Sequence, residues 1–245
     1  MRYCDAHIHL AQLSVLPDMS ENLFCSASHS VGEWEKNAAL QKKYPSHVYT
    51  SFGLHPQNPD EKLLPFLENL LGSPQPPDII GEIGFDLFNE KYKASEKKQD
   101  AVWQVCLDLA IFYKKPILVH TRKAMHKIFN SIPALKKIPA VIFHSYPGSF
   151  IEAESLLKKG VHAFFSFGKP LLNGHKNALS SAAKLGLDCI LLETDAPYQT
   201  LKGEKETRPE DIRRVYEKLA SLRDIPIAVL ARQIEKNFKT LLEIA

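Results

Sequence analysis

Residues 115–144 read KPILVHTRKAMHKIFNSIPALKKIPAVIFH. Two continuous apolar runs, 115–120 and 140–144, flank a segment, 122–131, whose apolar residues recur at three- and four-residue spacing. Continuous rather than alternating runs fit parallel strands buried on both faces, and parallel strands need a crossover between them, usually a helix. Both runs end on a histidine, His120 and His144. The stretch therefore predicts a strand–helix–strand unit with an imidazole at the carboxyl end of each strand, where alternating strand–helix folds bind their ligands.

The same rhythm extends in both directions. Apolar runs recur at 2–7, 23–27, 48–54, 79–84, 115–120, 140–144, 162–167 and 189–195. Helical spacing follows seven of them, at 31–44, 60–72, 95–114, 122–131, 149–159, 173–186 and 208–222, and a last helix is expected over 226–243. Residues 10–22 contain Pro17 and leave little room for a helix, so a loop is expected there. Ser30-x-x-Glu33, Ser149-x-x-Glu152 and Thr207-x-x-Glu210 each match a capping box. Ser73-Pro74-Gln75-Pro76-Pro77 reads as a rigid loop, not a linker. Eight such units in 245 residues predict an α/β fold, a single (β/α)8 TIM-like barrel, with residues 1–245 forming one domain.

Composition restricts the function classes. The hydrophobic fraction of 44% and charged fraction of 24% are ordinary for a globular chain. A net charge of +3 is compatible with an anionic substrate but is far from the basic stripe of a dedicated nucleic-acid-binding module. Cys4, Cys25, Cys106 and Cys189 form no C-x-x-C pair, and no leader pattern or 18-residue apolar run is present. These features predict a reducing, cytoplasmic setting, no membrane span and no obligate protein partner.

The chemistry gathers at the predicted strand ends. His7 and His9, two apart on a strand, point to one face and can bind one ion together. Glu82 lies inside IIGEIGFD, where an unpartnered carboxylate would be expensive to bury. It either pairs with a cationic side chain, for which Arg122 is the strand-end candidate, or bridges two metal ions. His120, His144 and Asp195 end further runs, with Glu193 two residues before Asp195 on the same face as a hydrogen-bond partner or a salt-bridged core residue. His55 and Arg122 are read as substrate-phosphate contacts, and Lys169 as a weaker, solvated candidate. His29, His47, His126, His162 and His175 are read as non-ligands.

Taken in order, DAHIH (5–9), GLHP (53–56), GEIGFD (81–86), HTR (120–122), HSYPG (144–148) and ETDAP (193–197) resemble the TatD family of metal-dependent hydrolases, from residue 3 to about 198. The resemblance implies a TIM-like barrel related to the amidohydrolases, with one or two divalent metals: magnesium, zinc or manganese. It places His7, His9, Glu82 and Asp195 on the first metal and Glu82, His120 and His144 on the second. It also implies deoxyribonuclease activity of the 3′→5′ exonuclease type on DNA or a nucleotide. The chain departs from the family pattern at Leu10-Ala11, at Ser145-Tyr146 where the family usually carries Cys-Phe, and around Arg208-Pro209-Glu210.

The expected reaction is phosphodiester hydrolysis by a metal-activated water, with Glu82 as the bridging carboxylate and Asp195 accepting the proton. Phe85, Phe88, Tyr146 and Tyr198 are expected at the rim, where they could stack on bases. The alternative is a carbon–nitrogen or ester hydrolase acting on a small molecule, and a third reading is a non-catalytic scaffold that keeps the barrel.

Overall fold

The computed structural model describes residues 1–243. Strands β1 (Cys4–Ile8), β2 (Leu23–Ser28), β3 (Val48–Phe52), β4 (Ile79–Asp86), β5 (Ile117–Arg122), β6 (Val141–Phe143), β7 (Ala163–Phe167) and β8 (Ile190–Leu192) pair in parallel in chain order. Apart from Tyr49, His120 and Arg122, every strand residue is buried, which accounts for the continuous apolar runs. The sheet curls back on itself. Asp195 N donates to His7 O at 2.9 Å and His9 N to Ala196 O at 2.8 Å, so the seam between β8 and β1 is joined at their carboxyl ends. Asp5 reinforces it by accepting hydrogen bonds from Thr194 N (2.9 Å) and Oγ1 (2.6 Å), although burial still pushes its carboxyl up to about 7. The result is a nearly closed eight-stranded TIM-type barrel.

Helices α1 (Val31–Lys43), α2 (Leu64–Leu71), α3 (Glu90–Lys93), α4 (Glu96–Tyr113), α5 (Met125–Asn130), α6 (Ile132–Leu135), α7 (Phe150–Lys158), α8 (Lys176–Lys184), α9 (Ile212–Arg223) and α10 (Ile227–Glu243) fill the crossovers and the carboxyl terminus. The first crossover holds only a 3₁₀ turn, Leu10–Gln12, as the Pro17 loop predicts. The short α3 was not expected, and the helix predicted over 122–131 starts late and is followed by a second, because Pro133 cannot donate the bond that would continue α5.

Of the three capping boxes, Ser149/Glu152 is complete. At Ser30 the hydroxyl caps Glu33 N at 3.3 Å, but the Glu33 carboxylate turns to His29 N at 2.7 Å. The Thr207/Glu210 box does not form. Pro209 opens a 3₁₀ turn one residue later, and Arg208 N donates to Asp211 Oδ2 at 3.1 Å instead.

A pair of long-range hydrogen bonds ties α9 to the barrel. The buried Tyr216 hydroxyl on α9 accepts from Cys4 N at 2.9 Å and donates to Cys4 O at 3.2 Å. Tyr216→Phe is expected to lower unfolding free energy by about 1–3 kcal/mol, since it strands a buried backbone donor; a urea titration measures this. All four cysteines are buried free thiols. Among the described residues no helix is long and apolar enough to cross a membrane.

Candidate metal centre

Glu82 is placed by an irregularity in β4. The register against β5 runs Gly81↔Leu118 and then Ile83↔Val119, leaving Glu82 as the extra residue of a bulge. The glycines on either side have a physical reason. Gly84 has φ +132°, and a Cβ there would meet His120 O at 2.2 Å; Gly81 has φ +157°, with Leu118 Cβ at 2.5 Å. Backbone this close to β5 admits no side chain, and the bulge directs the Glu82 carboxylate into the barrel mouth.

The six residues predicted to hold metal come together around that carboxylate. Glu82 Oε1 lies 2.9 Å from His144 Nε2 and 3.6 Å from His120 Nδ1. Glu82 Oε2 lies 3.3 Å from His7 Nε2 and 3.7 Å from His9 Nε2. Asp195 Oδ1 is 3.2 Å from both His7 Nε2 and His9 Nε2. The alternative role for Arg122, as partner to Glu82, is not realised: among the described residues Glu82 pairs only with histidines. Arg122 instead lies over the Phe88 ring, 3.5 Å from its centroid, at the edge of a cavity of about 700 Å³ that opens on the site.

Electrostatics follow from this packing. Burial pushes the Glu82 carboxyl up, but His7, His144 and His55 outweigh it and hold the group well below the ordinary carboxylate range. Asp195 is held low in the same way, against burial, by His7 and His9. Burial disfavours the His144 cation, yet the Glu82 carboxylate raises this imidazole to about 10. For His9 and His55 burial prevails and both stay below the usual histidine value.

The donor set fits a divalent cation. Neither ring nitrogen of the fully buried His7 makes a hydrogen bond, although its Nε2 sits within 3.3 Å of two carboxylates. His120 Nε2 contacts Asp86 Oδ2 at 3.2 Å, which assigns the ring hydrogen to Nε2 and leaves the Nδ1 lone pair facing His144 Nε2 at 3.1 Å. Imidazole nitrogens and carboxylate oxygens converging this closely form a ready ligand set for a cation once their protons leave. The groups His7/His9/Asp195, His7/Glu82/His144 and His55/Glu82/His120 each bring three ligand atoms within 4.8 Å of one another.

Residues behind these hold them in place. Glu193 accepts from Ser145 N at 2.7 Å and stands 3.4 Å from His144 Nδ1, with no Lys or Arg partner among the described residues. Gln199 Nε2 donates to Asp195 Oδ2 at 2.7 Å, while Ser145 Oγ donates to Gln199 Oε1 at 3.0 Å and so fixes the amide's orientation. Asp195, Ser145 and Gln199 all have positive φ (57°, 42° and 52°), a strained conformation that often accompanies function. Gln199→Leu, which frees Asp195 Oδ2, is expected to weaken metal affinity by about tenfold or more; calorimetric metal titration measures it.

Several residues sit where the sequence did not place them. His29, read as a non-ligand, has its Nε2 3.0 Å from Glu82 Oε2. Its signal in the sequence was its place just beyond the carboxyl end of the second apolar run. Lys169 is not solvated; it is 1% exposed and ion-paired with Glu204 and with Asp211, the latter at 2.8 Å. Phe85 and Tyr146 are unavailable for stacking on bases, because Phe85 packs on Trp103 inside the core and Tyr146 packs on Phe165. Phe88 and Tyr198 are about half exposed, but Arg122 covers one face of Phe88. His175 caps α8 and lines the cavity, while His126 and His162 are exposed. Asp86 and Gln199 were overlooked. Asp86 was the last letter of IIGEIGFD; Gln199 had no signal of its own.

A parallel barrel with a histidine–carboxylate cup at its carboxyl mouth defines the class of metal-dependent hydrolases. The comparisons agree and narrow it. A family model described as TatD related DNase matches residues 4–243, and the chain belongs to that family. It is 29% identical over 250 residues to the metal-dependent hydrolase MJ1582 of Methanocaldococcus jannaschii, covering 97% of this chain and 95% of that protein. It is 24% identical over 225 residues to the 3′-5′ ssDNA/RNA exonuclease TatD of Escherichia fergusonii, covering 87% and 84%. The crystal structure of YjjV, a TatD homologue from Escherichia coli K12, superposes with a TM-score of 0.86 at 25% identity, over 98% of this chain and 97% of that one. The protein is a metal-dependent hydrolase of the TatD DNase family.

Proposed function

We propose that the protein is a deoxyribonuclease of the 3′→5′ exonuclease type, with one or two divalent ions held by His7, His9, Glu82 and Asp195 and by Glu82, His120 and His144. The observation that carries this reading is the single carboxylate, Glu82, facing imidazoles from both of its oxygens. Bound divalent ions there supply Lewis acidity and an acidified water. The chain's own groups do the rest. Asp195, held ionised by His7 and His9, accepts the proton of the attacking water through Oδ1 while Gln199 keeps Oδ2 occupied.

His55 acts as a donor. Gln57 N donates to its Nδ1 at 3.2 Å, so the ring hydrogen lies on Nε2, directed at the site, where it can bind a phosphoryl oxygen. Arg122, exposed at the rim and stacked on Phe88, offers a guanidinium to the next phosphate.

Incubation with labelled single-stranded DNA and, separately, with amide and lactone panels tests the reading. Metal-dependent shortening from the 3′ end supports it. Turnover of carbonyl substrates alone would replace it with the amidohydrolase-type alternative.

Protons compete with metal for the same atoms. In the metal-free protein His144 holds its proton up to about 10, so metal binding must displace it. Affinity is therefore expected to rise with pH below that value, by about tenfold per pH unit for each proton displaced. The stability contribution of this protonated ring runs the other way. It is complete below the ordinary value of 6.5 and is lost as pH rises toward about 10. Titration calorimetry in two buffers of different ionisation enthalpy measures the proton release directly.

A further inference from the structure

We propose that His29 is a metal ligand of this centre, binding through Nε2 on the Oε2 side of Glu82 together with His9, and that it biases that side toward transition-metal dications over Mg²⁺. The proposal rests on the metal-hydrolase reading above and adds a residue outside the six already assigned.

The two Glu82 oxygens face different sets of rings. Oε1 meets His144 at 2.9 Å and His55 and His120 at 3.6 Å each. Oε2 meets His29 at 3.0 Å, His7 at 3.3 Å and His9 at 3.7 Å. His29 is thus nearer to Oε2 than either histidine of the His-x-His pair. The ligand atoms of His9, His29 and Glu82 all lie within 4.8 Å of one another, a spacing one ion can span.

The orientation of the His29 ring favours a ligand. Its Nδ1 lies 3.3 Å from Gly53 O, and a carbonyl can only accept, so the ring hydrogen sits on Nδ1. That leaves Nε2 as the ring atom turned to the centre, 3.0 Å from Glu82 Oε2 and open to an ion there. A ring N–H resting on a backbone carbonyl with the opposite nitrogen on the ion is how metal-bound histidines are commonly oriented. His55 presents the opposite pattern, with its hydrogen on Nε2, and so stays outside the ligand set.

The backbone that carries the ring is also held. Glu33 Oε2, at the start of α1, accepts from His29 N at 2.7 Å, and Gln12 Nε2 donates to Glu33 Oε1 at 2.8 Å. With His29 included, the Oε2 side offers three imidazoles and two carboxylates. Imidazole nitrogens suit Zn²⁺, Fe²⁺ and Ni²⁺, whereas Mg²⁺ takes oxygen ligands and surrenders its waters reluctantly.

Long-range ¹H–¹⁵N spectra of the ¹⁵N-labelled full chain, titrated with Zn²⁺ and separately with Mg²⁺, test this, with His29→Ala assigning the ring signal. The His29 Nε2 resonance is expected to shift on Zn²⁺ addition in step with those of His7 and His9. Zn²⁺ affinity of His29→Ala should fall by about 10- to 100-fold, with Mg²⁺ binding unchanged. An unmoved His29 ring while His7 and His9 shift overturns the proposal, and so does a His29→Ala protein that binds Zn²⁺ as tightly as the unsubstituted chain. If no histidine responds to any metal, the underlying metal-centre reading fails as well. The spectra of the unsubstituted chain decide the question whether or not the variant folds.

Discussion

Glu82→Gln is expected to reduce kcat by about 10³-fold or more and to lower the amount of metal the protein retains. The carboxylate faces His144, His120, His7 and His9, so its loss removes an oxygen ligand from both sides of the centre at once. The amide keeps the shape but offers one neutral oxygen in place of two charged ones. A second consequence concerns the metal-free protein. His7 and His144 keep their protons because of the Glu82 charge, so in the variant both rings should discharge near neutral pH. Breaking a buried ion pair by removing one partner costs about 3–5 kcal/mol when the other stays charged; discharge of the rings keeps the loss below that range. Metal analysis, steady-state kinetics and a histidine NMR titration together read these effects.

Asp195→Asn is expected to lower kcat by about 10²–10⁴-fold, the usual contribution of a positioned proton acceptor. The amide cannot take a proton from water, and its single oxygen must choose between Gln199 and the pair His7 and His9. All three contacts depend on a residue held at φ +57° just past β8, where the strand exit is tied to β1. Asn tolerates that conformation well, so the fold should persist and the deficit should be chemical. Equal falls in kcat and kcat/KM, with an unchanged melting temperature for the metal-free protein, are the expected signature. A rise in KM alone would move Asp195 from the reaction to substrate binding.

The barrel was legible because its signal is repeated. Buried parallel strands read as continuous apolar runs, and eight of them punctuated by helical spacing leave little choice of architecture. Boundaries were less legible wherever a local residue overrode the period, as Pro133 does between α5 and α6 and Pro209 before α9. The His-x-His pair, His120, His144 and Asp195 were legible because strand ends are where a polar residue after an apolar run must emerge at the mouth, and Glu82 because a carboxylate inside an apolar run needs a partner.

His29 shows the limit of that logic. It stands one residue beyond β2, followed at once by a capping serine, and reads as loop composition. Its approach to Glu82 depends on a bulge in β4, and pairing between strands cannot be read from either strand alone. The Ser145–Gln199–Asp195 chain is invisible for a similar reason: it joins the β6 and β8 exits, more than fifty positions apart along the chain, through one hydrogen bond of 3.0 Å. Lys169 was misjudged because its ion partners come from a distant segment, around Glu204 and Asp211.

The most direct measurement is an anomalous difference map from crystals soaked in Zn²⁺ or Mn²⁺. The account predicts density in contact with the Glu82 carboxylate, with His7, His9 and Asp195 around one ion and His120 and His144 around any second. Density bound elsewhere on the protein, with Glu82 still facing only imidazoles at full metal occupancy, would contradict it.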